Sequence, residues 1–378
     1  LLDFWPLGRF DKEEGRKLFN FIPSRLIIEK VPLFVLAFMS SIATFYVQQI
    51  KGAVKSVSQF SFAIRLENAI VSYAGYLRKM IWPDNLAAFY PHPGSALPIW
   101  QVFVALLVLL LLTFLVLRKG KRFPYLALGW FWYVGILVPV IGLVQVGGQS
   151  MADRYTYIPL IGVFIMIAWG VPQILAKRPY HKAFLSIVAG VLILLFSVCA
   201  WSQVRHWRTT IALFEHALEV TSGNYLAHTN IGVVLARNDK IEEAIEHYQK
   251  SLDIKPDDAD THNNLGFALI RQGKFEEAVS HFKESVTINP NNEFSRINLA
   301  VALAHKGLLD EAVIHFKEAL RINPKSWTAH KNLAIAYGSL GKLDEAAFHL
   351  REALKINPDD NTARTALQRV EEAIGQSR

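Results

Sequence analysis

With 378 residues, 52% of them hydrophobic, and a mean hydropathy of +0.24, the chain exceeds one ordinary soluble domain, and its apolar content lies mostly before Trp207. The net charge of +8 invites a nucleic-acid reading, but the cations stand in short clusters beside apolar segments, which makes them topology determinants and leaves nucleic acid out of the expected partners. The single cysteine, Cys199, lies in an apolar run and excludes an intrachain disulfide.

In chain order, the first residues are Leu1-Leu2-Asp3-Phe4-Trp5-Pro6-Leu7, with neither an initiator Met nor a signal-peptide pattern, so the chain is expected to be the carboxy-terminal part of a longer protein. Five stretches, 31–50, 97–117, 125–146, 158–176 and 183–201, are apolar enough to cross a bilayer, which takes roughly 20 helical residues. Arg118-Lys119-Gly120-Lys121-Arg122, Lys177-Arg178-Pro179-Tyr180-His181-Lys182 and the cationic segment 9–30 are cytoplasmic by the positive-inside rule. That puts 51–96, 147–157 and everything after Trp201 on the outer side of a multi-pass cytoplasmic membrane protein. Arg65, Glu67, Arg78 and Lys79 interrupt the stretch 60–82, and a charge at the bilayer centre costs at least about 2.5 kcal/mol. It is expected to lie at the outer interface, anchored by Trp82, Phe89 and Tyr90, with a buried polar span as the alternative.

Beyond Trp207 the pattern changes. Pro256, Pro290, Pro324 and Pro358 recur every 34 residues, the period of the tetratricopeptide repeat (TPR), a helix-turn-helix that must stack to bury its apolar faces. Units then begin at Tyr225, Ala259, Glu293 and Trp327, with small residues at Ala244, Ala278, Ala312 and Ala346 in the second helix. Gly232, Gly266, Ala300 and Ala334 are expected where first helices approach one another, and Tyr248, Phe282, Phe316 and Leu350 as the bulky residues of second helices. Asp257-Asp258, Asn291-Asn292 and Asp359-Asp360 are capping candidates; Phe214 and Ala217 fit a degenerate preceding unit, and 361–374 a capping helix. The fold class is all-α: a polytopic transmembrane helical domain over 1–207 followed by a TPR α-solenoid over 208–378.

Asn230, Asn264, Asn298 and Asn332 share the sixth position of their units, which faces the groove. An amide both accepts and donates, so a ladder of Asn can hold an extended peptide backbone whatever its sequence. The ladder is similar to that of the O-GlcNAc transferase repeats; alternatively, Asn is simply frequent there. Arg237, Arg271 and His305 at the thirteenth position favour an acidic partner or form a solvated face. His228, His262 and His330 share the fourth position, a periodicity of packing or groove residues rather than metal ligands, and no metal is expected. P-loop, dinucleotide, HExxH, CxxC and nucleophile-elbow signatures are absent from the sequence.

The outer loops hold the other candidates: Asp153, Arg154 and Tyr155 in the segment 149–157, and Arg65, Glu67, Asn68, Asp84 and His92 in the first loop. A guanidinium at the membrane surface suits a lipid-linked phosphate, and a carboxylate beside it can orient it or take a proton. The alternative is that Arg154 pairs with Asp153 to fix a helix end. The runs Leu1-Leu2-Asp3-Phe4-Trp5-Pro6-Leu7-Gly8-Arg9, Glu29-Lys30-Val31-Pro32-Leu33-Phe34, Arg65-Leu66-Glu67-Asn68-Ala69, Tyr76-Leu77-Arg78-Lys79, Trp82-Pro83-Asp84-Asn85-Leu86-Ala87, Tyr90-Pro91 and Ala152-Asp153-Arg154-Tyr155-Thr156-Tyr157-Ile158-Pro159 resemble the transmembrane-and-TPR O-mannosyltransferases and their prokaryotic relatives. The resemblance implies a GT-C-type membrane enzyme that takes a mannose-like sugar from a polyprenyl-phosphate donor and transfers it to Ser or Thr of a protein recruited by the repeats. It implies no further cofactor, and it places the acidic catalytic motif upstream of these residues, so the catalytic base is unknown. The chain departs from the eukaryotic pattern at Asp153, where Glu is more usual, and at Asp3-Phe4, where Tyr usually follows the Asp. A non-enzymatic membrane-anchored TPR scaffold for envelope assembly and a polysaccharide polymerase or ligase are the alternatives.

Overall fold

The computed structural model describes residue 6 and residues 28–50, 61–94, 97–143, 147–176 and 180–376. The amino-terminal part of the resemblance, apart from Pro6 and the residues from Ile28 on, and the cations Lys177 and Arg178 lie outside the described residues. The chain divides into two compact units, 1–222 and 223–378.

The first unit contains α1 (Val31–Ile50), α2 (Phe62–Ile81), α3 (Ile99–Gly120), α4 (Pro124–Leu137), α5 (Pro159–Leu175), α6 (His181–Arg205) and α7 (Thr210–Val220). Of the five expected spans, two helices are long and apolar enough to cross a membrane, Ile99–Gly120 and Lys182–Arg205; the apolar helices Val31–Ala43, Pro124–Leu137 and Pro159–Leu175 are shorter. Local chemistry sets two of these limits. Helix α4 stops at the residue before Val138-Pro139, where a missing N–H and a clash with the preceding residue oppose helix, and α5 starts on Pro159, whose fixed φ suits a first helical position.

Helices α4 and α5 cross at Gly129 and Gly162. A Cβ on either would lie 2.2 Å from the other's carbonyl oxygen, so only glycine permits this approach. Around the crossing, Ala69 and Tyr76 of α2 join Trp130, Tyr133, Leu137 and Val163 in one core. Helix α2 is capped by Ser61, whose Oγ accepts from the Ile64 N–H, and it turns Arg65, Asn68, Ala69, Ser72 and Tyr76 inward. A stripe at this spacing makes α2 amphipathic with a polar buried side. Two short strands, β1 (Tyr90–Pro91) and β2 (Gln149–Met151), pair antiparallel, Tyr90 opposite Met151 and Pro91 opposite Gln149. Proline cannot donate to a ladder, which keeps the pairing short.

The second unit is a solenoid of paired helices: α8 (Tyr225–Arg237) with α9 (Ile241–Ile254), α10 (Ala259–Arg271) with α11 (Phe275–Ile288), α12 (Glu293–His305) with α13 (Leu309–Ile322), α14 (Trp327–Ser339) with α15 (Leu343–Ile356), then α16 (Asn361–Gln376). The first helix of each pair starts at the residue where the proline period puts a unit start. Asn224, Asp258, Asn292 and Ser326 cap these helices, each side-chain oxygen accepting from the N–H three residues on. Asn224 and Ser326 were outside the expected capping set, because no acidic or amide pair announces them.

The period's small residues meet a different neighbour from the one expected. A Cβ on Gly232 would lie 2.6 Å from the Tyr248 ring, and one on Gly266 2.8 Å from the Phe282 ring. In these two repeats the glycine thus accommodates the aromatic of the second helix of its own repeat. Ala244, Ala278, Ala312 and Ala346 are fully buried, as are Phe282 and, nearly, Phe316. Burying each such aromatic contributes about 2 to 3 kcal/mol. Leu350 and Ala334 close the last repeat over Ala363 of α16.

Candidate functional site

A connected polar site in the described part of the first unit centres on Asp153. It opens a single 3-10 turn, Asp153–Thr156, at the mouth of α5. Asp153 Oδ2 accepts from the Tyr90 hydroxyl at 2.6 Å, and the Tyr90 hydroxyl oxygen in turn accepts from the Ala87 N–H at 2.7 Å and the Lys79 ammonium at 3.1 Å. Lys79 also donates to the Asn85 carbonyl at 2.9 Å and stands 4.7 Å from the Tyr90 ring centroid. Burial raises the Asp153 carboxyl above its ordinary value, against the opposing pull of Tyr90 and Lys79, and burial lowers Lys79. Burial and then the Asp153 charge push the Tyr90 phenol up.

Helix α2 holds this arrangement against β2. Asn68 Nδ2 and Ser72 Oγ both donate to the Ser150 carbonyl, at 2.9 and 3.4 Å, and the Tyr76 hydroxyl spans the Ala152 N–H at 3.0 Å and the Ala152 carbonyl at 3.2 Å. The Ser150 hydroxyl donates to the Tyr90 carbonyl at 3.3 Å and the His92 N–H to the Gly148 carbonyl at 2.9 Å. Segments roughly 60 to 80 residues apart in sequence are thereby fastened into one polar layer.

The sequence candidates fall into distinct places in it. Arg154 is exposed, its guanidinium 5.2 Å from the Tyr155 ring centroid, while the Tyr155 hydroxyl accepts from Gln149 Nε2 at 3.0 Å. Asp153 bonds to Tyr90, so the partner of its carboxylate is a part-buried phenol where the alternative reading had Arg154. Arg65, 7% exposed, lies a turn before Asn68 and close enough to His92 to help lower that ring after burial. Glu67 is half-buried beside the stripe, not in it. Asp84 pairs with Arg78 at 2.9 Å and fastens the loop. Of the three expected headgroup anchors only Trp82 is exposed; Phe89 and Tyr90 are buried, Tyr90 by its place in β1 opposite Met151 and its hydroxyl bond to Asp153. Tyr76, Lys79 and Tyr90 were not among the candidate site residues. All three stand in the runs that carry the family resemblance, and Lys79 and Tyr90 were legible besides only as an interrupting charge and an interfacial anchor.

In the second unit, all four ladder residues are half-buried on the first helices. Asn230 Nδ2 donates to the Leu226 carbonyl of its own helix at 2.8 Å, and Asn298 Nδ2 to Asn263 Oδ1 of the preceding repeat at 2.9 Å. The side chains of Asn264 and Asn332 make no hydrogen bond among the described residues. Apolar residues a turn away flank them: Phe267, Phe294 and Ile335 are 54%, 71% and 54% exposed. These neighbours share the face of the periodic Asn by i, i+3 and i, i+4 spacing, and unlike it they are not one residue type repeated every 34 residues. Arg271 is no free cation; it donates to the Ala236 carbonyl at 2.7 Å and pairs with Asp239, stapling its repeat to the preceding turn.

The class is therefore an all-α protein with a TPR solenoid, and comparison agrees. Models of the tetratricopeptide repeat match residues 224–291, 263–326 and 327–360. Among curated relatives, protein O-mannosyl-transferase Tmtc3 of Drosophila melanogaster is 26% identical over 127 residues, 33% of this chain and 14% of its own length. Human protein O-mannosyl-transferase TMTC4 is 28% identical over 131 residues, 35% of this chain and 18% of its own. The chain thus spans less than a fifth of each of these relatives, and the similarity lies in the repeats. Among solved structures, the TPR protein YrrB is similar at 26% identity, covering 46% of this chain and 87% of that one with a TM-score of 0.38.

Proposed function

We propose that this chain is part of a GT-C-type membrane glycosyltransferase that moves a sugar from a polyprenyl-phosphate donor to Ser or Thr of a protein held by the TPR groove. The observation that carries it is the layer around Asp153: residue runs that separately resemble the O-mannosyltransferases meet there, beneath an exposed arginine at the end of an apolar helix. The relatives' names support the same reading. In it the unit carrying α1 to α6 sits among membrane lipids as a polytopic domain of the cytoplasmic membrane, with the repeats outside.

Arg154 holds the donor phosphate through paired charge-assisted hydrogen bonds and stabilises it as it leaves. Asp153, engaged by Tyr90, is a positioning group that fixes the 153–156 turn; the catalytic base is unassigned. Arg65 and Glu67 line the donor side at the start of α2, and Tyr155 supports the guanidinium by its ring. The donor is the one small-molecule requirement of this reading.

Membranes bearing full-length protein, supplied with a polyprenyl-phosphate sugar and an acceptor protein, test it. Arg154→Lys keeps the charge but loses the planar fork and is expected to lower transfer about tenfold, and Arg154→Ala about a hundredfold, at unchanged protein level. Full transfer by Arg154→Ala at limiting donor would remove the residue from the site. Absence of transfer by the wild-type protein, with acceptor still bound, would favour the membrane-anchored scaffold, a reading supported by the confinement of the similarity to the repeats.

A further inference from the structure

In three of the four repeats, a histidine at the fourth position of the first helix meets another nineteen residues on. Nδ1 faces Nδ1 at 3.2 Å between His228 and His247, 3.0 Å between His262 and His281, and 2.9 Å between His330 and His349. Their ring centroids lie 5.3, 5.3 and 5.2 Å apart. No third His, Cys, Asp or Glu joins a pair to form a metal-holding group among the described residues.

The same fourth position grips the linker proline six residues earlier. His262 Nε2 meets the Pro256 carbonyl at 2.9 Å and His330 Nε2 the Pro324 carbonyl at 3.2 Å. Arg296 donates to the Pro290 carbonyl at 2.8 Å, and Arg364 to that of Pro358 at 2.6 Å. A carbonyl can only accept, so Nε2 of His262 and of His330 must carry hydrogen, and Nδ1 of each neutral ring is then a lone-pair acceptor. The protons between the rings therefore belong to His281 and His349 at Nδ1. Each chain runs from second helix to first helix to linker with every donor matched. A second charge in such a pair needs hydrogen on both facing nitrogens, which abolishes their bond and sets two cations in contact.

We propose that these histidine pairs make the repeat array acid-sensitive: proton uptake parts the two helices of a repeat and reshapes the groove its first helix lines. Surrounding charges do not cancel the effect. Lys250 lies beside the first pair and Glu277 and Glu284 beside His281; Lys317 of the preceding repeat and Glu352 face the last pair, where Tyr337 stacks on His349. Burial, then the partner ring, lowers His228 and His281 and brings His349 down to about 4. In the third repeat, Arg296 already carries a charge opposite His315, which is lowered by burial and by that arginine, with Glu311, Lys283 and Glu318 around it. A histidine lowered in the folded state binds fewer protons there than unfolded. The stability it contributes is complete above about pH 6.5 and is lost as pH falls toward 4.

Hydrogen-deuterium exchange of the full chain in detergent at pH 7.5 and 5.0, corrected for intrinsic exchange, tests this. Opening of the helix pair 327–356 is expected to rise about tenfold or more at the lower pH, and the rise to shrink to about threefold or less in His247→Leu/His281→Leu/His349→Leu. Equal protection at both pH values, or an undiminished response in the triple variant, overturns the proposal. Should that variant lose helix content at pH 7.5, nitrogen shifts of 15N-histidine in the wild-type chain decide. Two well-separated titration steps per pair support the proposal, and single independent steps near 6.5 defeat it.

Discussion

Tyr90 is the residue on which the polar layer of the first unit turns, because its one hydroxyl satisfies a carboxylate, a backbone N–H and an ammonium together. Tyr90→Phe leaves those groups without that partner and is expected to cost about 2 to 3 kcal/mol, whereas Asp84→Ala, which breaks a solvent-screened pair, costs about 1 kcal/mol or less. Thermal unfolding in detergent measures both, and equal losses would show the phenol to be ordinary packing. The sign with pH follows from Asp153. Its carboxyl is raised in the fold, so its contribution to stability is largest in acid and is lost as pH rises through the raised value. The Tyr90→Phe deficit should accordingly be greatest at neutral pH and shrink on acidification. The type and spacing of Asp153 and Arg154 were readable, but the partner of Asp153 was not, since it comes from a strand more than sixty residues earlier.

At the scale of elements, the first helices of the solenoid combine an Asn with an apolar neighbour on the same face. If Asn230, Asn264, Asn298 and Asn332 hold an extended peptide, replacing all four by Ala should weaken acceptor binding about tenfold or more, or about 1.4 kcal/mol. Stability should change little, because Ala is the better helix former and offsets the loss of the Asn298 to Asn263 bond. Calorimetric titration with an acceptor peptide, beside a melting curve, separates the two effects. Unchanged affinity would make the ladder an ordinary TPR surface and shift attention to Phe267, Phe294 and Ile335. The phase of these helices was legible from four prolines, since a helix must stop before each one. The small residues were legible as small, but their partner was not: whether Gly232 faces another first helix or Tyr248 depends on how the helix pair rolls.

At the scale of the whole chain, the cationic loops and apolar helices predict which side of a membrane the repeats occupy. In a Cys199→Ser background, Ser280→Cys on the exposed side of α11 should react with a membrane-impermeant thiol reagent while the cytoplasmic membrane is intact. Labelling only after that membrane is broken would reverse the topology.

Composition and period alone determined that apolar helices precede a TPR array and where each repeat begins, because hydropathy and helix-stopping prolines act locally along the chain. Helix length was only half determined in this way. Val138-Pro139 ends α4 early within a stretch apolar enough to continue. The tertiary structure decided what local chemistry cannot: that Tyr90 turns inward to Asp153, that Arg271 staples one repeat to the next, and that histidines nineteen residues apart meet Nδ1 to Nδ1. Each depends on two segments meeting in space, and a meeting of that kind is set by the packing of whole helices rather than by either segment's own residues.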